Sequence, residues 1–306
     1  MSFLPQRILI FTPVFPKMNK GASEQDQIYG ALGLQAMGHT VRMAAFLPEY
    51  QTEDQIQAYA STIGLDVVTC PYPPVSLSLQ EMISRFRAVL RRPVFLDGSA
   101  YQHTAPIIQQ FAREQIVSFR PSIVWLDNNF LWPLAELPRD KNIPLIIRSQ
   151  NFEPRHLLDE KGWSPVNSIK YIGKYWGELA ALRASVVLAT ITPVEQGIYS
   201  RLTRAKTVEL LPLRGLHHHL RPHQPTRTAF PLNVFYWGST FNVSHNRSAL
   251  KFVVEQIAPR VRITAPGQFR FHIIGGKVPA DIQRQASDDL IIHGFLPEPE
   301  KVLAEM

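Results

Sequence analysis

The chain has 306 residues, a formal net charge of +7, 45% hydrophobic and 19% charged residues, and a single cysteine, Cys70. That balance excludes an intrinsically disordered chain, and one cysteine excludes an internal disulfide framework and fits a reducing cytoplasm. No run of about 18 apolar residues exists, so a membrane-spanning helix is not expected. Basic charge attracts nucleic acid, anionic lipid or phosphorylated substrates, and charge alone cannot choose among them.

In chain order, Met1–Arg7 lacks the apolar run and cleavage site of a signal peptide, so the expected location is cytoplasmic. Arg7–Thr12 reads as a strand buried on both faces. A loop with Pro13, Pro16 and Gly21 follows, and Ser23, with Asp26 three residues on, is expected to cap a helix through Leu32, Leu34 and Met37. Gly38 stops that helix, and Val41–Phe46 is the next strand, which completes a βαβ unit.

Short apolar runs recur at Ile123–Leu126, Leu145–Ile147, Val186–Ala189 and Val208–Leu211, with helical segments between them. A stretch rich in Pro and His, Leu213–Pro231, divides the chain. Beyond it Val234–Trp237 reads as a strand and Asn246–Val261 as a helix, with Leu250, Val253, Val254 and Ile257 at helical spacing. Phe269–Ile274 and Leu290–His293 are two further strands. Alternating strands and helices on both sides of the divider imply an α/β fold of two Rossmann-like domains with mainly parallel sheets, residues 1–212 and 213–306. Three strands make an incomplete second sheet with an exposed apolar edge. Either the chain is a fragment, poorly soluble alone or folded only in its first domain, or something else covers that edge.

The order of these motifs resembles family-4-type GT-B glycosyltransferases. ILIFTPVFP and GASEQDQIYGALGLQAMGHTVRMAAF are similar to the family's first βαβ unit, with its Gly-containing loop and Gly-His-x-Val turn. Pro121–Leu126 is similar to the strand that enters the interdomain cleft, and Arg148–Glu153 (RSQNFE) to an Arg-Ser-His-Asn-x-Glu stretch. Gly238–Arg262, FRFHIIGGKVP and LIIHGFLPEPEKVL resemble successive units of the donor domain. The resemblance implies a GT-B fold with two sheets facing a cleft. It implies a retaining transfer of a sugar from a nucleotide diphosphate donor to a glycan or lipid-linked acceptor in surface-polysaccharide or glycolipid assembly. Gln150 stands where relatives carry a histidine, and the family's pair of donor-binding glutamates is expected beyond Phe295, which implies a C-terminally truncated member. The alternative is a non-catalytic remnant or partner-binding protein that keeps the cleft.

On this reading the catalytic candidates are Gln150 and Glu153. Asn151 joins them as a binding residue, and Glu153 is placed either to hydrogen-bond an acceptor hydroxyl or to pair with Arg148 or Arg155. Donor and acceptor candidates are the backbone at Gly21, Ala22 and Ser23, and Gly238 and Ser239 ahead of the Asn246 helix, where N–H groups meet a helix N-terminus. Arg247 is placed to reach the diphosphate or simply to face solvent. Gly275 and Gly276 form a strand-end turn at the cleft mouth, and Gly294 and Phe295 close the donor set; Lys277 is expected at the surface. Gly275-Gly276-Lys277 is no Walker motif, since Phe271 occupies the upstream glycine position.

The histidines His217, His218 and His219 diverge in direction with no paired acid or Cys at zinc spacing, so no metal or cofactor is expected. The absence of GxGxxG argues against a dehydrogenase. No recognition module for nucleic acid is visible. Arg85, Arg87, Arg91 and Arg92 interleave with Phe86, Val89 and Leu90, as in a basic amphipathic helix. Such a helix either rests peripherally on the anionic inner face of the plasma membrane or packs its apolar side inward.

Overall fold

The computed structural model describes residues 4–16, 22–73, 78–203, 206–215 and 230–296. The described residues from Leu4 to Gly215 fall in one compact unit and those from Phe230 to Leu296 in a second. Among them no helix is long and apolar enough to cross a membrane.

The first unit runs β1 (Arg7–Thr12), α1 (Ala22–Ala36), β2 (Thr40–Leu47), α2 (Glu53–Ile63), β3 (Asp66–Pro71) and α3 (Leu79–Arg91). A 3-10 turn at Pro93–Leu96 leads to α4 (Gly98–Gln102), α5 (Pro106–Phe119) and β4 (Ile123–Leu126). A second 3-10 turn, Asn129–Leu134, precedes α6 (Glu136–Arg139), β5 (Leu145–Arg148), α7 (Glu153–Lys161), α8 (Pro165–Ala184), β6 (Val187–Thr190), α9 (Pro193–Leu202) and β7 (Thr207–Leu210). Local chemistry sets several of these boundaries. Gly64 ends α2 in the left-handed conformation and returns its N–H to the Ala60 and Ser61 carbonyls. Ser164 and Thr192 cap α8 and α9, each ahead of a proline at the first helical position.

The seven strands are all parallel, in the order β3-β2-β1-β4-β5-β6-β7. Alternate residues of each strand enter opposite cores, as the two-residue period of a strand requires. Leu9, Phe11, Val124, Leu126 and Ile147 face one, with Ala112 and Ile116 of α5 and Leu182 of α8. Ile8, Ile10, Met43, Val67 and Trp125 face the other, with Ile28 of α1 and Ile56 of α2. A parallel sheet covered on both faces is the doubly wound arrangement the apolar runs imply. Ser23 departs from its expected capping role. The helix already begins at Ala22, so Ser23 lies within the first turn and its hydroxyl is committed elsewhere.

The second unit contains β8 (Leu232–Thr240), β9 (Phe269–Gly276) and β10 (Leu290–Gly294), parallel and in the order β10-β9-β8. Between the first two run α10 (Ser244–Phe252), a π-helical turn (Val253–Ile257) and α11 (Ala258–Thr264) without a break, and α12 (Ala280–Gln283) follows β9. Leu250, Val254 and Ala258 pack with Phe271, Ile273 and Leu290 on one sheet face. The opposite face carries a polar row across all three strands. His272 Nδ1 lies 2.9 Å from His293 Nε2, and its Nε2 lies 3.0 Å from Asn233 Oδ1. On that face Trp237 is 53% exposed, so half of an indole remains in water.

Gly238 and Ser239 belong to the end of β8 rather than to a loop ahead of a helix, a correction that follows from how Phe241 packs. The Phe241 ring is fully buried against the two glycines of neighbouring strands. A Cβ at Gly238 would meet that ring at 2.8 Å, and one at Gly275 would lie 2.3 Å from the Gly238 carbonyl oxygen. Gly275 also has φ of 155°, a backbone state that side chains disfavour. Gly275→Ala is therefore expected to destabilise the second unit by about 2 kcal/mol or more. Hydrogen exchange should show faster opening of β8 and β9 with unchanged protection in the first unit; equal protection in both would remove this account of the glycine pair.

Candidate functional site

In the first unit the strand order reverses between β1 and β4, and the crevice outside the carboxyl ends of strands at such a point is where doubly wound sheets bind ligands. The residues that follow these strands converge there. Ser23 Oγ donates to Gln150 Oε1 at 2.8 Å, and Gln150 Nε2 donates to the Asp127 carbonyl at 3.3 Å. Gln27 Nε2 reaches the same carbonyl at 3.5 Å. The N-terminus of α1 opens beside them and supplies fixed positive partial charge. The loop leaving β1 is held in place as it starts, because the Gln51 amide donates to the Phe15 carbonyl at 2.8 Å and accepts from its N–H at 3.2 Å.

Beneath this crevice lies a buried charge cluster. Arg148, the last residue of β5, is fully buried and pairs with Asp26 of α1 at 3.0 Å. It also donates to the Leu211 carbonyl at 2.9 Å. Arg214 Nη2 lies 2.8 Å from Asp26 and 3.3 Å from Asp127. The same guanidinium sits over the Trp125 ring, 5.4 Å from its centre. Gly30 makes room for it, since a Cβ there would come within 2.2 Å of the guanidinium carbon. Two cations and two anions balance, as a buried cluster must. Burial and the neighbouring Arg214 charge lower the Arg148 pKa against the pull of Asp26 and Asp127. For Arg214, burial also opposes the charge, but Asp127 and Asp26 outweigh it and raise the pKa. Arg214 Nη1 is buried with no hydrogen-bond partner among the described residues.

The segment after β5 carries the catalytic candidates, and a second buried network holds it. Glu178 of α8 accepts from Asn129 Nδ2 and, at 2.7 Å, from the Tyr199 hydroxyl, while its other oxygen accepts from the Glu153 N–H at 3.1 Å. Ser149 Oγ lies 2.9 Å from both Asn129 Nδ2 and Tyr199 Oη. Burial pushes the Glu178 pKa up to about 8, so this carboxyl is protonated near neutrality. The Glu153 carboxylate pairs with Lys174 at 3.0 Å, not with Arg148 or Arg155. Those two arginines are turned to Asp26 and Asp159. Asn151, next in the chain after Gln150, is exposed.

In the second unit α10 begins at Ser244, two residues earlier than the sequence indicates. Asn246 Nδ2 donates to the Thr240 carbonyl at 2.9 Å and Arg247 Nε to the Phe241 carbonyl at 3.2 Å. The two residues thus brace the turn between β8 and the helix. Gly276 ends β9 and accepts from the Phe241 N–H at 2.8 Å; Gly294 ends β10 with φ of 71°, and Phe295 beyond it is exposed. Gly21, His217, His218 and His219 lie outside the described residues. Among the described residues no group of three or more His, Cys, Asp or Glu is placed to hold a metal ion. Asp127, Asn129, Lys174, Glu178, Tyr199 and Arg214 carry no local motif, and only the fold brings them to this place.

No protein-family model matches the sequence, and no curated protein matches it. Solved structures do resemble it. HepE of Anabaena, in complex with UDP and glucose, is 12% identical over 98% of this chain and 72% of its own, with a TM-score of 0.56. Sucrose-phosphate synthase of Thermosynechococcus elongatus is 14% identical over 97% and 73%, with a TM-score of 0.57. TarM of S. aureus, in complex with Fondaparinux, alpha-GlcNAc-glycerol and UDP, is 9% identical over 97% and 79%, with a TM-score of 0.59. The fold is therefore of the GT-B type.

Two outcomes follow. Asp26→Ala strands Arg148 in the interior and is expected to cost about 3–5 kcal/mol, read by urea unfolding. A loss under about 1 kcal/mol, the range of an exposed pair, would contradict the burial argument. Glu178 binds its proton more tightly when folded, so the stability it contributes is complete below its unfolded pKa of 4.5 and falls as pH rises through about 8. Glu178→Gln should flatten the unfolding free energy over that window, and an unchanged slope would show that the carboxyl titrates normally.

Proposed function

We propose that the chain is a nucleotide-sugar-dependent glycosyltransferase of the family-4-like, retaining kind, acting on a glycan or lipid-linked acceptor. The observation that carries the reading is the crevice at the β1/β4 switch point, where Ser23, Gln27, Gln150 and Asp127 converge on a GT-B-type fold. It is supported by the UDP held in the HepE and TarM structures. Transfer from such a donor requires stabilisation of a departing diphosphate, best supplied by fixed dipoles and cations that need no reorganisation. In this proposal the N–H groups opening α10 and the guanidinium of Arg247 meet the diphosphate. In the first unit Gln150, which stands where relatives carry a histidine, is the catalytic candidate at the crevice, and Asn151 hydrogen-bonds the acceptor. Glu153 holds Lys174 and the start of α7 in position instead of acting on substrate. The setting we propose is cytoplasmic, at the inner membrane face when the acceptor is lipid-linked.

One observation favours the second reading, a binding protein without catalysis. The Glu153 carboxylate, in the segment that follows β5, is engaged by Lys174. Release of nucleoside diphosphate from UDP- and GDP-linked hexoses separates the two. An enzyme gives acceptor-stimulated turnover, and Gln150→Ala lowers kcat/KM by about 10²-fold, the scale of one lost transition-state contact. Donor binding with no turnover for any sugar would establish the second reading.

A further inference from the structure

Helix α3 divides the apolar residues that its sequence interleaves with arginines: Val89 packs inward, whereas Phe86 and Leu90 are exposed. Leu79, Met82, Ile83, Phe86 and Leu90 recur at spacings of three and four residues, which places them on one helical face. All five point to solvent, with Leu79 72%, Phe86 63% and Leu90 67% exposed. The helix is held to the unit by a different side, where Ala88 and Val89 pack against the core and Arg85 lies over the Tyr101 ring. A solvated surface helix normally shows the reverse pattern, apolar side chains inward and charges outward.

The charge on the helix identifies what covers this face. From Leu79 to Arg92 there are four arginines against the single Glu81. Arg92 pairs loosely with Glu136 at 3.3 Å, and Arg87 and Arg91 form no ion pair among the described residues. A second apolar row stands exposed on α8, where Val166, Ile169, Ile172 and Trp176 follow the same spacing with Lys170 among them. Both α3 and α8 pack against the Pro93–Leu96 turn. An exposed apolar stripe flanked by arginines complements the boundary of an anionic bilayer, which offers acyl chains below and phosphates above.

We propose that α3 is a membrane-docking helix that lies flat in the surface of an anionic bilayer, its Phe86 side among the acyl chains and Arg87 and Arg91 at the phosphates. This rests on the helix alone and would hold if the chain transferred no sugar. If it is a transferase, docking holds the enzyme where a lipid-linked acceptor is found.

The test is sedimentation of the full chain with vesicles of phosphatidylcholine, with and without phosphatidylglycerol. Binding to the anionic vesicles alone is expected. Arg87→Gln combined with Arg91→Gln should weaken it about 25-fold, about five-fold for each charge near the surface. Phe86→Ser with Leu90→Ser should abolish sedimentation without lowering the melting temperature, since both positions are exposed. A Phe86→Trp variant reports depth, and its emission should shift to the blue only with anionic vesicles. Sedimentation without that shift would overturn insertion and leave surface adsorption. Failure of the wild-type chain to sediment would overturn the proposal outright. So would a dimer in the absence of lipid that Phe86→Ser with Leu90→Ser converts to monomer, because the occupant would then be a second copy.

Discussion

The first unit depends on one buried constraint, the cluster of Asp26, Arg148, Arg214 and Asp127. Each belongs to a different segment: the first turns of α1, the end of β5, the chain leaving β7, and the residue after β4. A fully buried guanidinium is tolerated only when its charge is met by anions close at hand, and this forces the four segments into one geometry. The cluster fixes where α1 begins relative to the switch point, and so where Ser23 meets Gln150. Removing one member is costly because it strands another. For that reason the cluster defines the shape of the crevice more strictly than apolar packing of similar volume would.

A second layer acts on the segment that follows β5. Its backbone is held by Glu178, Asn129, Tyr199 and Ser149, all deep in the interior. Burial raises the Glu178 pKa to about 8, three donors meet its two oxygens, and Lys174 neutralises Glu153 at the rim. In the second unit the corresponding role falls to packing. Phe241 fills the space left by Gly238 and Gly275, and Asn246 and Arg247 brace the turn above it. Each unit thus holds its strand ends through tertiary contacts of its own.

Much of the fold could be read from the residues. Apolar runs such as Ile123–Leu126 are strands with the expected bounds, because a strand buried on both faces has no other composition. Helix α10 with its π turn shows Leu250 and Val254 on the buried side, as their spacing requires. β3 was not legible, since its six residues include Asp66, Thr69 and Pro71, and only Gly64 before it marks the boundary. The site was legible in part. Gln150 and Ser23 follow from their places after a strand and at a helix start, but their hydrogen bond joins residues 127 apart. Glu178 and Arg214 were beyond reach because a buried acid in mid-helix and an arginine in a loop look like surface residues until tertiary contacts surround them. Gly238 and Gly275 were visible as glycines, but the Phe241 ring that packs against both appears only in the fold.

A nucleoside diphosphate is the ligand we propose for this fold. Calorimetric titration of the full chain with UDP and with GDP tests it most directly. Saturable one-to-one binding of one of the two is expected, weakened by Arg247→Ala with the fold intact. An absence of heat with either nucleotide, for a chain shown to be folded by circular dichroism, would contradict it.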